Sequence, residues 1–570
     1  MRGKIITISL LFATLFGLLI ARLFYWQIIK GSELSDSANK QYRTSEVVTA
    51  PRGNIKASDG SYLALRTDAW LVFASPQEIT SSKSDVANKL APFFVEEKDD
   101  RQALLDEVFR IEDVISKKDA VWVPLKQKVS SETKKNIDAL GIKGIGFDLV
   151  EDRYYPEASS AAQLLGFVGK DDKGGDVGYF GLEGYYNLAL SGKSGFIGRE
   201  KDARGSPILL DKGRLVDAIS GVELLTSIDR RVQILAETKL KEAIVKYGAK
   251  EGYVVIMNPK NGEIMATAAY PSFDPREYWK YGDLYFKNPV VSDTFEPGSI
   301  FKVLVMSAGL DDGVIDPGTK CDICAGPLKL DKYFIKTWNN EYNADATMLD
   351  VIVHSDNVGM SFVGLKLGED KLYDYLDKFG IGKLTGIDLQ GEVTPSMRKR
   401  GSWNMVDLAT TSFGQGIAVT PIQMVRAVGA IANGGVMRVP HVVKEIKGEG
   451  WSEPTKFDDT VRVISPEAAK QMTEMMVAAV DSGEAQWTKI SGFSVAGKTG
   501  TAQIPIAGHY DAEKTNASFI AFAPAKDPKF VMLVSLKEPQ SSPWAAETAA
   551  PLWFTIAQDL FPYFGISPER

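Results

Sequence analysis

The spacing of apolar residues along the chain changes character twice. Ile5 to Ala21 is an uncharged run that spans about 26 Å at 1.5 Å per helical residue, barely a hydrocarbon core. Arg22 can snorkel toward the far interface, with Phe24, Tyr25 and Trp26 as an aromatic belt there. From there to about residue 215 the chain is charged and broken by short apolar stretches. Asp68 to Ala74 and Ala120 to Pro124 read as strands, Asp99 to Ser116 as an amphipathic helix, and Gly- and Lys-rich Lys170 to Asp176 as a loop. From about Glu223 the texture changes again. Tyr253 to Met257 and Ile264 to Tyr270 are β-rich runs joined by Asn-Pro-Lys-Asn-Gly, a hairpin signal. Helical patterns follow, including Ile300 to Leu310 and Leu349 to Leu367. Strand-like runs then return at Phe493 to Ile504, Ala517 to Phe522 and Phe530 to Leu536. Strands, then helices, then strands predict an α+β domain whose sheet is closed by both of its ends. No internal repeat or low-complexity segment interrupts it.

Arg2 and Lys4 precede the first run with no acidic residue beside them, which places residues 1–4 in the cytoplasm and the chain beyond about residue 30 outside it. A cleaved signal peptide shares this charged start. Its exit requires small residues, however, and Ala21 is followed by Arg-Leu-Phe-Tyr-Trp-Gln, so an uncleaved anchor at 5–22 is the expectation. The 570 residues are 44% hydrophobic and 24% charged, which excludes wholesale disorder, collagen and a coiled coil. The formal net charge is −7, and no run of like charge is long enough to track a phosphate backbone, so nucleic acid is not an expected partner. With three histidines and only Cys321 and Cys324 as cysteines, neither a metal nor another cofactor is expected. The two cysteines are expected to play a local structural role, and outside the cytoplasm a short disulfide between them is open to them.

A nucleophilic serine needs a base, and Ser-x-x-Lys sets both on one helix face. The pattern occurs at Ser37/Lys40, Ser131/Lys134, Ser299/Lys302 and Ser396/Lys399, against about two expected by chance in a chain this long. Context selects Ser299. It follows Glu-Pro-Gly and opens the apolar run Ile-Phe-Lys-Val-Leu-Val-Met, so it should start a buried helix, where burial favours the neutral, basic form of Lys302. Ser355-Asp356-Asn357 and Lys498-Thr499-Gly500, followed by Thr501, come after it. Ser37-Ala38-Asn39, Ser402-Trp403-Asn404 and Lys193-Ser194-Gly195 match the same short patterns. Chain order leaves Ser355 or Ser402 for the middle element, and Ser402 sits in a charged loop.

This ordered trio, with Phe-Glu-Pro-Gly-Ser-Ile-Phe-Lys (295–302), Ser-Phe-Gly-Gln-Gly (412–416), Thr-Pro-Ile-Gln (420–423) and Ala-Gly-Lys-Thr-Gly-Thr-Ala-Gln (496–503), resembles the transpeptidase domain of penicillin-binding proteins and serine β-lactamases. Upstream, Ala-Pro-Arg-Gly-Asn-Ile (50–55), Arg-Tyr-Tyr-Pro (153–156) and Gly-Leu-Glu-Gly-Tyr-Tyr-Asn (181–187) resemble the non-catalytic pedestal of the class B, monofunctional members. Ser58-Asp59-Gly60 departs from the Asp-Arg-x-Gly common after Pro-Arg-Gly in that class. The resemblance implies an antiparallel sheet flanked by helices, like that of serine β-lactamases, behind a mixed α/β pedestal and one transmembrane helix. Its expected divisions are 1–4 cytoplasmic, 5–22 anchor, 23–219 pedestal of the dimerisation type and 220–570 catalytic domain.

The same resemblance implies roles. Ser299 would be acylated by the penultimate D-alanine carbonyl of a peptidoglycan stem peptide, with Lys302 as its base. Ser355 would relay a proton to the leaving amine, and Asn357 would hold the donor amide. Lys498 would supply positive potential, while Thr499 and Thr501, beside Gly500, would grip the terminal carboxylate. The backbone N–H groups of Ser299 and Thr501 would form the oxyanion hole. Glu296, His354 and Asp356 would be local structural partners, and no carboxylate outside the motifs is assigned as a deacylating base. β-Lactams would acylate the same serine. Implied partners are stem peptides on lipid-linked glycan strands, a membrane-embedded glycan polymerase and other division-complex proteins. The spacing of Gly-Leu-Glu after Arg-Tyr-Tyr-Pro leans to the septal over the elongation type. The competing readings are a D,D-carboxypeptidase or β-lactamase-type hydrolase, which the three motifs alone do not exclude, and a non-enzymatic penicillin-binding scaffold.

Overall fold

The structure, a computed structural model, describes residues 2–35, 43–95, 97, 99–117, 120–172, 174–200, 214–457, 460–506 and 509–569. The Ser37/Lys40 and Ser37-Ala38-Asn39 matches lie outside the described residues. Two compact units are present, Met1–Arg52 with Ser191–Gly221, and Gly53–Leu190 with Val222–Arg570.

In the first unit, helix α1 (Arg2–Phe24) continues through one wider turn, Tyr25–Ile29. The helix Arg2–Ile29 contains an 18-residue stretch with a mean hydropathy of 2.2 and is long and apolar enough to cross a membrane. The helix is longer than the apolar run predicts because the Phe24-Tyr25-Trp26 belt is itself helical. A three-stranded antiparallel sheet, Arg43–Val48, Gly195–Glu200 and Arg214–Val216, accompanies it.

In the second unit, the catalytic half is built on a five-stranded antiparallel sheet: β1 (Glu251–Met257), β2 (Ile264–Tyr270), β3 (Ala496–Ile506), β4 (His509–Ala523) and β5 (Phe530–Lys537), in the order β2-β1-β5-β4-β3. Side chains alternate across a strand, and both faces are covered. Val254, Ile256, Met532 and Val534 pack with helices α2 (Arg230–Tyr247) and α8 (Ala549–Tyr563). Val255, Met257, Val531 and Leu533 pack with α3 (Lys302–Asp311), α6 (Pro421–Ala432) and α7 (Pro466–Ser482). Burial on both faces explains why these strands read as continuous apolar runs. The β1–β2 hairpin pairs as expected, and β3, which carries Lys498 to Thr501, is the edge strand.

Two predicted elements differ. The single helix expected over Leu349 to Leu367 is two helices, α4 (Met348–Val353) and α5 (Asn357–Lys378). Ser355 adopts φ +56° at the break, and Asp356 restarts the helix by accepting from the N–H groups of Val358 and Gly359 at 2.7 and 3.2 Å. The strand expected over Ala120 to Pro124 is Val123–Val129, because only Val123, Leu125 and Val129 face inward, while Val121 and Trp122 are exposed.

The three pedestal strings meet at one buried ion pair. Arg153 Nε donates to Glu183 Oε1 at 2.6 Å, and its Nη1 donates to the Gly53 carbonyl at 2.7 Å. Tyr186, from the same string as Glu183, donates to Asp388 at 2.9 Å, and Asp388 accepts from the N–H groups of Val442 and Val443. A seven-stranded sheet in this unit takes strands from both sides of residue 220, with Ile55–Lys56 parallel to Glu223–Thr226. Asp59 closes its own turn on Ser61. Cys321 and Cys324 form a disulfide and are fully buried.

Candidate active site

Ser299 lies on the tight turn Gly298–Phe301 that leads into α3. A neighbouring string holds this turn. The Gly298 N–H donates to the Gly414 carbonyl at 3.1 Å, and Glu296 Oε1 accepts from the Gly416 N–H at 3.1 Å. Gly414 has φ +81°, and a Cβ there would sit 2.2 Å from the Gly298 carbonyl oxygen, so only glycine fits. Ser-Phe-Gly-Gln-Gly is therefore a bracket for the nucleophile turn. Thr-Pro-Ile-Gln is a capping box at the start of α6, with Thr420 and Gln423 satisfying each other's N–H groups.

Three chain segments converge through two lysines. Lys302 is fully buried, and its Nζ donates to the Ser355 carbonyl at 2.6 Å and to Asn357 Oδ1 at 2.8 Å, with Ser355 Oγ at 3.3 Å. Lys498 Nζ donates to Ser355 Oγ at 3.0 Å and lies 3.2 Å from Thr499 Oγ1. The break between α4 and α5 is what turns Ser355 and Asn357 toward these lysines. Burial pushes the Lys302 amine well below its ordinary value, and the positive charge of Lys498 adds to the effect, with Asp356 and Glu484 opposing it. Burial lowers Lys498 too, opposed by Glu484.

Ser299, Ser355, Asn357, Thr499 and Thr501 line one cavity of about 80 Å³, which Trp338, Phe413, Gln415, Glu484 and Trp544 complete. Thr501 Oγ1 accepts from the Ala545 N–H at 3.0 Å, which leaves its own proton free to donate. Gly500 packs under the nucleophile turn, where a Cβ would meet the Ile300 side chain at 2.8 Å. Asn357 Nδ2 donates to the Lys336 carbonyl at 3.0 Å, so one N–H and one lone pair of the amide remain. Asp356 caps α5 and the His354 carbonyl accepts from Trp338 Nε1. A larger cavity of about 540 Å³, bordered by Tyr253, Tyr270 and Phe295, holds none of the candidate site residues.

The other pattern matches are engaged elsewhere. Ser131 accepts from Trp70 Nε1, and Lys134 stands over the Trp70 and Phe147 rings. Ser396 and Lys399 lie outside regular structure, and Ser402 Oγ donates to the Lys399 carbonyl. The sequence reading missed Glu484, Trp338 and Trp544. None lies in a motif, and each reaches the cavity from a separate loop.

Comparison with known proteins identifies the fold and the family. Residues 252–558 match the penicillin binding protein transpeptidase domain, and residues 47–225 match the penicillin-binding protein dimerisation domain. Stage V sporulation protein D of Bacillus subtilis is 32% identical over 98% of this chain and 86% of its own length. A probable peptidoglycan D,D-transpeptidase, PenA, of Neisseria meningitidis is 27% identical over 100% of this chain and 94% of its own. The crystal structure of penicillin binding protein 2X from Streptococcus thermophilus matches with a TM-score of 0.75 at 25% identity, over 92% of this chain and 80% of that one. A peptidoglycan synthetase from Bifidobacterium adolescentis matches with a TM-score of 0.74 at 26% identity, over 93% and 98%. The chain therefore belongs to the penicillin-binding protein transpeptidase family, in its class B branch.

Proposed function

We propose that this protein is a serine-type peptidoglycan D,D-transpeptidase that cross-links stem peptides through an acyl-enzyme on Ser299, and that β-lactams acylate the same serine. The observation that carries the reading is the buried chain of contacts Lys302, Ser355 and Lys498, which ties three separate segments into one proton path beside Ser299. The Ser355 carbonyl and Asn357 Oδ1 use both N–H groups of a neutral Lys302 amine, leaving its lone pair to take the Ser299 proton. Ser299 Oγ then bonds to the penultimate D-alanine carbonyl carbon, and the C–N bond to the last D-alanine breaks. The proton returns through Ser355 to the leaving nitrogen. The amine of a second stem attacks the ester, the cross-link forms, and Ser299 regains a proton. Backbone N–H groups of Ser299 and Thr501 hold the developing oxyanion. Asn357 holds the donor amide, and Lys498 and Thr501 face the substrate carboxylate.

The matched regions support a pedestal at 23–219 and a catalytic domain at 220–570, the apolar helix supports an anchor at 5–22, and Arg2 and Lys4 support residues 1–4 in the cytoplasm with the bulk outside it. The septal role, with a membrane-embedded glycan polymerase as partner, rests on the pedestal strings and on full-length relatives that include a sporulation protein. Labelling with fluorescent penicillin tests the reading: modification should map to Ser299 and vanish in Ser299→Ala at unchanged melting temperature. Labelling that persists at another serine overturns it.

A further inference from the structure

Glu484 is a carboxylate inside the acylation cavity that no motif contains. It follows α7 directly, and its place is fixed by its neighbours. A Cβ on Gly483 would sit 2.3 Å from the Ala479 carbonyl oxygen and 2.7 Å from that of Val353, so glycine lets the end of α7 close on the end of α4, two residues before Ser355. Ala485 on the other side is buried. Glu484 thus faces Thr499, whose Oγ1 lies 2.9 Å from its Oε2.

An ionised carboxylate only accepts, so the Thr499 hydroxyl must donate to Glu484 and present its lone pairs to Lys498 Nζ, 3.2 Å away. The Thr499 proton is then unavailable to a substrate carboxylate. The Thr501 proton is available, because Thr501 Oγ1 accepts from the Ala545 N–H. The two hydroxyls that flank Gly500 are therefore inequivalent. Two buried lysines share this cleft, and both feel Glu484; Asp356 also acts on Lys302. Burial lowers the Lys498 amine, and the Glu484 charge opposes that at the point where substrate charge must be met.

We infer that Glu484 is a positioning residue for acylation: it accepts the Thr499 hydroxyl hydrogen bond and sets a negative charge beside Lys498, so that Thr501 is the hydroxyl donor to the substrate carboxylate. This rests on the transpeptidase reading of Ser299. Because acylation needs Lys302 neutral and Lys498 charged, its rate should be bell-shaped in pH, with the acid limb set by Lys302 and the alkaline limb by Lys498. The groups facing these amines are each other, Glu484 and Asp356. Removing the Glu484 charge lowers both amines, so both limbs should move to lower pH.

The test is the second-order rate of acylation of the full chain by fluorescent penicillin across the pH range, in wild type, Glu484→Gln, Glu484→Ala and Glu484→Asp. Gln and Ala should shift both limbs toward acid by about one unit, and Asp, which keeps the charge, should restore their positions at a reduced rate. A purely structural role would lower the rate at every pH and move neither limb. Limbs that stay in place in the folded, labelled Gln or Ala variant overturn the inference. Wild type unlabelled at Ser299 overturns the transpeptidase reading instead.

Discussion

The pedestal and the cleft each bury two charged side chains, in opposite ways. In the pedestal, Arg153 is paired with Glu183 at 2.6 Å and its second nitrogen is met by the Gly53 carbonyl. Opposite charges cancel, and three distant strings are fixed at one point. In the cleft, Lys302 and Lys498 are brought to a common partner, Ser355 Oγ. Burial pushes the Lys302 amine well down and the neighbouring Lys498 charge adds to it, which suits Lys302 to act as the base. Opposite charges buried as a pair hold the fold together; like charges buried side by side are poised for chemistry.

That contrast can be broken from either side. The largest effect should come from Lys302→Ala, which removes the base and should slow penicillin acylation by about 10²–10⁴-fold, with the melting temperature little changed. Glu183→Ala should do the reverse, because Arg153 is left buried and unpaired. It should cost about 3–5 kcal/mol of stability by urea denaturation, while the folded fraction acylates at the wild-type rate. Lys498→Ala should lower acylation by about 10²–10³-fold through lost charge stabilisation, again at near-constant melting temperature. If Lys498→Ala acylates normally, the like-charge pair is not the engine of the site. The smallest effect belongs to Cys321→Ser/Cys324→Ser. Its disulfide carries neither cleft charge nor cavity wall, and acylation should stay within a few-fold of wild type.

The strands of the central sheet could be read from composition because both of their faces are buried. Val531 and Val534 lie on opposite faces, yet each meets a helical layer. The break at Ser355 was not legible as a break. Leu349 to Leu367 keeps helical spacing through it, and only the Asp356 cap and the positive φ of Ser355 interrupt the helix. Ser-Phe-Gly-Gln-Gly was legible as a resemblance, but its work, gripping Gly298 and Glu296, depends on approaches between residues more than a hundred positions apart. Glu484 left no trace in the sequence for the same reason: a glutamate after a helix is ordinary until Gly483 docks it against Val353.

The central claim is that an amine, and not water, resolves the acyl-enzyme. It is tested most directly by following consumption of a stem-peptide or thioester donor by the wild-type chain, with and without an amine acceptor. Faster consumption with the amine, formation of the cross-linked product, and a penicilloyl-enzyme that persists for many minutes are the expected results. Rapid penicillin turnover, or donor loss indifferent to the amine, would contradict the transpeptidase assignment and identify a hydrolase.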